Sequence, residues 1–303
     1  MDPQFDEVRA LVFEPYTLFR VRPMRGRFVN VAEQGYRLGD PSAIWPPKAD
    51  RVNVFVFGGS TAFGYGVTDA ETIPSQLAGQ LQELQAGAQV SVYNFATPNH
   101  VSVQERIRLE QLILSGYRPA IAVFLDGFGE FIAPYYEPLM WKRFVNETAS
   151  VGGILAALGE RLHGLLPSRR ANGPECQLPN PDAIVARYLR NIRLISAVCV
   201  EFAIRPLFVW QPVPCYQYSG QGLVRRHEGS GRLLDGVASV YELMNARRDK
   251  DFSGNQFLWL ADMQRDRTDS LYVDADHYTP GFSKEIATLI ARHLVVHGFV
   301  KAT

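Results

Sequence analysis

The chain has few cysteines, no excess of either charge and no long hydrophobic run. Its 303 residues include three cysteines, Cys176, Cys199 and Cys215. An odd count without Cys-x-x-Cys spacing implies neither a disulfide framework nor a zinc site. Cys199 lies in the apolar run 194–200 and reads as core packing. Lysine and arginine total 31, as do aspartate and glutamate, so the formal net charge is zero. No basic stripe marks a nucleic-acid footprint, and no nucleic-acid partner is expected. No window of 18 or more apolar residues occurs, so no membrane span is expected in this chain. The first seven residues, Met-Asp-Pro-Gln-Phe-Asp-Glu, lack the basic and apolar regions of a signal peptide. The expectation is a soluble chain, either cytoplasmic or an exported domain whose targeting segment has been removed. The oligomeric state is not legible.

The nucleotide fingerprints are missing too. No Gly-x-Gly-x-x-Gly follows the first strong strand, which excludes the usual dinucleotide turn. Gly59 and Gly64 bracket four residues, but Tyr65 stands where a phosphate-binding loop needs lysine. The Gly-x-Ser-x-Gly elbow is incomplete, because Ala62 holds its last position. No cofactor is expected.

What is present is a 47% hydrophobic, 20% charged chain, enough for a sizeable core. Residues 52–57, 90–95 and 120–125 read as buried strands. Apolar residues at helical spacing separate them: Ile73, Leu77, Leu81 and Leu84, then Ile107, Leu109, Leu112 and Ile113. A helix over 184–202, strands at 206–211 and 255–260, and a closing helix over 282–296 complete the pattern. Strands alternating with helices imply parallel pairing and right-handed crossovers. The fold class expected is a three-layer α/β/α sandwich around a parallel sheet, flavodoxin-like, plus insertions. Residues 1–50, rich in proline and arginine, read as an irregular arm packed on a core of residues 51–303. Two stretches, about 132–180 and 215–255, read as irregular insertions, the first as a lid.

In open parallel sheets, sites lie beyond the carboxyl ends of the strands. Three polar segments fall there: Gly58–Ser60, Thr97–His100 and Asp126–Glu130. Ser60 follows a strand and two glycines, which can leave its hydroxyl exposed above the sheet edge. As a bland alternative, Gly-Gly-Ser is a turn with serine as a helix cap. Asp274 and His277 stand three residues apart, just ahead of the closing helix. At that spacing the carboxylate can hold one ring nitrogen and leave the other to act as a base. A nucleophile, a base and an orienting acid are the parts of a serine hydrolase. Asp274, Asp276 and His277 as metal ligands are the alternative, although no further ligands are evident and no metal is expected.

These segments resemble the SGNH (GDSL-type) hydrolases, a family of α/β/α proteins that hydrolyse or transfer acyl groups. The resemblance covers about residues 50–130 and 270–295, and the Gly-Gly-Ser-Thr-x-Phe-Gly form at 58–64 is similar to a bacterial branch. It implies Ser60 as nucleophile and Asp274 and His277 as its partners. It implies an oxyanion hole made at Ser60, beside Gly59, and at the second-block position that Asn99 occupies. The third block departs from the family. It reads Gly127-Phe128-Gly129-Glu130, with Gly129 where the family has an asparagine donor. The hole is therefore expected to be one donor short, unless His100 or Asn99 supplies it. The implied activity is a serine-dependent ester hydrolase, on a small-molecule or glycan ester, through an acyl-Ser60 intermediate. An O-acyltransferase using the same residues, and a degenerate binding protein with little turnover, are the alternatives.

Overall fold

Alternation along the central strands generates the layers. A computed structural model describes residues 10–133, 180–219, 231–252 and 254–301. In the strand Val52–Gly58 (β5), Val54 and Val56 enter one core while Phe55 and Phe57 enter the other. Ile121–Asp126 (β7) does the same, with Val123 and Leu125 opposed to Ala122 and Phe124. Successive side chains of a strand point to opposite faces, so each strand serves two cores and must be apolar throughout.

Five strands form the main sheet: Val90–Asn94 (β6), β5, β7, Arg205–Trp210 (β8) and Phe257–Trp259 (β9), in that spatial order. All four pairings are parallel. On one face lie Ile73–Leu84 (α2) and Pro280–Val296 (α6), through Leu77, Leu81, Ile286 and Ile290. On the other lie Ser102–Leu114 (α3) and Pro181–Glu201 (α4), through Leu109, Tyr188 and Ile192. The three-layer α/β/α fold expected from the sequence is the fold observed. Among the described residues, no helix is long and apolar enough to cross a membrane.

One expectation is corrected. The segment 215–255 is not irregular throughout, because Gly231–Asp251 is an α-helix (α5). Val237, Val240, Tyr241 and Met244 are completely buried at helical spacing against α4. Gly236, Ser239 and the run Arg247-Arg-Asp-Lys-Asp251 dilute that stripe and make the segment read as polar. The lid expected at 132–180 lies almost wholly outside the described residues.

The amino-terminal segment carries two short antiparallel pairs, Leu11–Glu14 (β1) with Leu18–Val21 (β2) and Met24–Arg25 (β3) with Asn30–Val31 (β4). It is anchored deeply. Arg37 is buried, and its guanidinium bonds Asp69 at 2.7 Å and the carbonyls of Phe63, Gly64, Val67 and Phe28 at 2.7–3.2 Å. Phe63 and Gly64 end the short helix Ser60–Phe63 (α1), whose last carbonyls have no intrahelical partner. Arg37 supplies them.

Candidate active site

The site is built on turns at the carboxyl ends of β5, β6, β7 and β8 and on the loop before α6. Beyond β5, Gly59 is the N-cap of α1 and Ser60 its first residue. The first N–H groups of a helix have no internal acceptor, so they face outward and favour negative charge. Beyond β6, the chain turns through Thr97-Pro98-Asn99-His100, with His100 N–H donating to the Thr97 carbonyl at 3.0 Å. Asn99 holds φ of 65°. Proline followed by a residue at positive φ is the signature of a type II turn, and asparagine tolerates that conformation best after glycine.

The loop before α6 is closed by a bridge between Tyr272 and Tyr278 and by Val273 N–H donating to the His277 carbonyl at 2.8 Å. Thr279 caps α6, and Pro280 opens it. Within this loop, Asp274 Oδ1 accepts the backbone N–H groups of Asp276 at 3.1 Å and His277 at 2.9 Å. Both Asp274 oxygens lie 2.8 Å from His277 Nδ1. On the other side of the ring, His277 Nε2 is 2.8 Å from Ser60 Oγ. Residues 217 positions apart thus form one continuous chain of hydrogen bonds. Tyr65, in the loop after α1, packs on the imidazole with ring centroids 4.5 Å apart.

Electrostatics sort the two aspartates. Burial works to raise the Asp274 carboxyl, but the hydrogen bond and charge of His277 and the two backbone donors outweigh it. Its pKa falls below the ordinary value, so it is ionised at neutral pH. Asp276 lies 3.4 Å from Nδ1, and burial pushes its carboxyl upward despite His277. Asp274, Asp276 and His277 are also the group among the described residues whose ligand atoms fall within 4.8 Å of one another. In this arrangement, however, Nδ1 faces Asp274 and Nε2 faces Ser60.

The remaining expected residues separate. Gly59, Ser60, Asn99, His100, Gly129 and His277 line one cleft of about 410 Å³, together with Leu11, Val101, Phe128 and Ile132. His100 is buried, and its Nε2 donates to the Phe19 carbonyl of β2 at 2.8 Å. Burial pushes its pKa down to about 4, so the ring is neutral. With the proton on Nε2, Nδ1 is an acceptor and cannot donate to an oxyanion. Gly129 lies in the helical segment that begins at Phe128 and is not among the positive-φ glycines. A Cβ there would sit 3.3 Å from Val101 Cγ1. Glu130 is an anchor: its Oε1 accepts the first N–H of α3, from Ser102, at 2.7 Å.

Sequence reasoning missed three contributors. Arg37 braces α1 from a segment read as a peripheral arm. Tyr65 covers the imidazole, and its only sequence signal is its place beside the Gly-Gly-Ser-Thr block. Gln211, at the end of β8, lines the cleft and accepts a hydrogen bond from Thr61 Oγ1 at 2.6 Å.

No protein-family model and no curated protein sequence matches the chain. Solved structures do. A protein assigned to the G-D-S-L family of lipolytic proteins, from Desulfitobacterium hafniense DCB-2, is 14% identical, with a TM-score of 0.47 over 80% of this chain and 100% of its own. A lipase/acylhydrolase from Enterococcus faecalis is 14% identical, with a TM-score of 0.45 over 84% and 98%. A variant of an acetyl xylan esterase from Geobacillus stearothermophilus is 12% identical, with a TM-score of 0.43 over 86% and 97%. The three-layer architecture rests on this chain's own strand order and pairings.

Proposed function

We propose that the protein is a serine-dependent ester hydrolase of the SGNH type, acting on a small-molecule or glycan ester through an acyl-Ser60 intermediate. The observation that carries this reading is the unbroken chain Ser60 Oγ, His277 Nε2, His277 Nδ1, Asp274, with 2.8 Å at each link. Ser60 Oγ attacks the acyl carbon while His277 Nε2 takes its proton. Asp274, ionised, keeps the second ring proton on Nδ1 and stabilises the imidazolium that forms. The oxyanion forms against the first N–H groups of α1 and the turn at Asn99. As the carbonyl reforms, the alcohol leaves with the proton carried by His277. Water then attacks the acyl-serine by the same route in reverse, releasing the acid and restoring Ser60.

Labelling with a fluorophosphonate and locating the adduct by mass spectrometry tests this directly. The expected adduct is on Ser60, with Ser60→Ala unlabelled and inactive on 4-nitrophenyl acetate. An adduct elsewhere, retained in Ser60→Ala, overturns the assignment. A folded wild type that neither labels nor turns over favours a non-catalytic binding protein.

A further inference from the structure

The third block lacks its asparagine; His100 and Gly129 supply no side-chain donor, and Asn99 already serves, through the turn it forms, as the second-block donor proposed above. We infer that Gln211 takes this role, its Nε2 amide donating to the oxyanion of the acyl-transfer transition state. The inference rests on the acyl-Ser60 reading above.

Five observations carry it. Gln211 is only 5% exposed, yet it lines the same cleft as Ser60 and His277. Its Oε1 is occupied by the hydroxyl of Thr61, the residue after the nucleophile, at 2.6 Å. An amide whose oxygen is held in this way still has two N–H donors. Among the described residues no hydrogen bond engages Nε2, on a side chain that lines the cleft, where a bound substrate oxygen can accept from it. A donor assists catalysis most when it needs no reorganisation. Gln211 is held on every side. Its N–H donates to the Asp126 carbonyl at 2.9 Å, and the carbonyl of Pro212, its neighbour, accepts from Tyr278 Oη at 2.7 Å. Gly127 makes room for it. With φ of 150°, that residue has no β-carbon, and one built there would meet Gln211 Cγ at 2.9 Å. The side chain thus crosses the place that a residue other than glycine would fill, and reaches the nucleophile helix. A donor from the end of β8 stands in for the one the family draws from the end of β7.

The test compares wild type with Gln211→Ala, Gln211→Glu and Gln211→Met on 4-nitrophenyl acetate, with fluorophosphonate labelling in parallel. Glutamate keeps the shape and can still accept from Thr61, but an ionised carboxylate donates nothing. Methionine keeps the volume, should alanine fail to fold. Losing one oxyanion donor lowers kcat by about 100- to 1,000-fold. That fall is expected in all folded variants, with KM within about threefold, because the interaction forms in the transition state. In the Gln211→Ala background, Gly129→Asn is expected to recover part of the rate, a gain that a merely structural glutamine would not allow. Any folded variant within threefold of the wild-type kcat overturns the role, as does a loss confined to KM. If the wild type itself neither labels at Ser60 nor turns over, the reaction fails and this role fails with it. Labelling at Ser60 with full activity in the variants removes only Gln211.

Discussion

At the scale of the residue, the two aspartates of the loop before α6 make the sharpest contrast. Asp274 is held ionised, accepts two backbone N–H groups and bridges Nδ1, whereas Asp276 is pushed upward by burial. In the proposed mechanism Asp274→Asn removes the charge that stabilises the imidazolium and puts an N–H donor beside Nδ1, favouring the wrong tautomer. Its kcat is expected to fall by roughly 10³- to 10⁴-fold. Asp276→Asn is expected to stay within about tenfold of the wild type. Steady-state kinetics on one ester decide it, and the reverse ranking would exchange their roles. In the proposed mechanism His277 is neutral when it takes the Ser60 proton, so kcat/KM is expected to rise with pH as the free enzyme's imidazole deprotonates. Asp274 is ionised before that point, so the limb belongs to His277 and disappears, with the rate, in His277→Ala.

At the scale of the element, α1 is a single helical turn and cannot be stable by itself. Its position depends on Arg37, whose five-donor fork fits four carbonyls and one carboxylate. Arg37→Ala leaves Asp69 and the carbonyls at the end of α1 without that partner. The expected cost is about 3–5 kcal/mol, by analogy with breaking a buried ion pair. Lysine cannot reproduce the fork, so Arg37→Lys is expected to recover only a minor share. Urea unfolding measures both, and equal stability of wild type and alanine variant would refute the brace. Behind the third block, α3 and β7 bring Glu105 and Asp126 together, both buried, beside Glu130 and Tyr188. Ionised, the first two have no donor for each other. With one protonated, a hydrogen bond joins them. Burial, reinforced by the charge of Glu130 on both and of Asp126 on Glu105, pushes both carboxyls well above their ordinary range. A carboxyl raised on folding contributes stability that is complete below the unfolded pKa and is lost as pH rises. Glu105→Gln, a neutral mimic of the protonated acid, is expected to flatten the decline of Tm from pH 5 upward. An unchanged slope would mean that the pair does not share a proton.

For the whole molecule, His100 ties the amino-terminal segment to the turn after β6. That imidazole donates to Phe19 in β2 and is held neutral, with its pKa pushed from 6.5 to about 4 by burial. Between those values the unfolded chain binds a proton that the native protein does not. The stabilisation is therefore complete above about pH 6.5 and is lost as pH falls toward 4. At one unit per 1.36 kcal/mol, the loss amounts to about 3 kcal/mol. His100→Gln is expected to remove that acid-side slope from urea denaturation measured between pH 4 and 7. A slope that survives the substitution would place the acid sensitivity elsewhere, with His293, half-buried and also pushed down by burial, as the next group to test.

Hydrophobic patterning alone was enough for the layers and for the sheet edge that carries the candidate site. Five apolar strand segments alternating with amphipathic helices admit few arrangements other than a parallel sheet covered on both faces. Turn residues then mark its carboxyl end. The pairing of Ser60 with Asp274 and His277 was legible for the same reason, since each lies at an element boundary with a local signature. Helix α5 was not, because its buried stripe is interleaved with glycine, serine and charge, and periodicity becomes visible only when a partner face is known. Nor were Arg37, Tyr65 or Gln211. Arg37 and Gln211 belong to segments with no chemical motif, Tyr65 follows one without being part of its chemistry, and each acts on a residue far away in the chain. Which side chains meet over a strand end depends on strand order and register, and these arise from packing among distant segments. Packing between distant segments brings an arginine of the amino-terminal segment onto the end of the Ser60 turn and a glutamine from the end of β8 against Thr61 and Gly127.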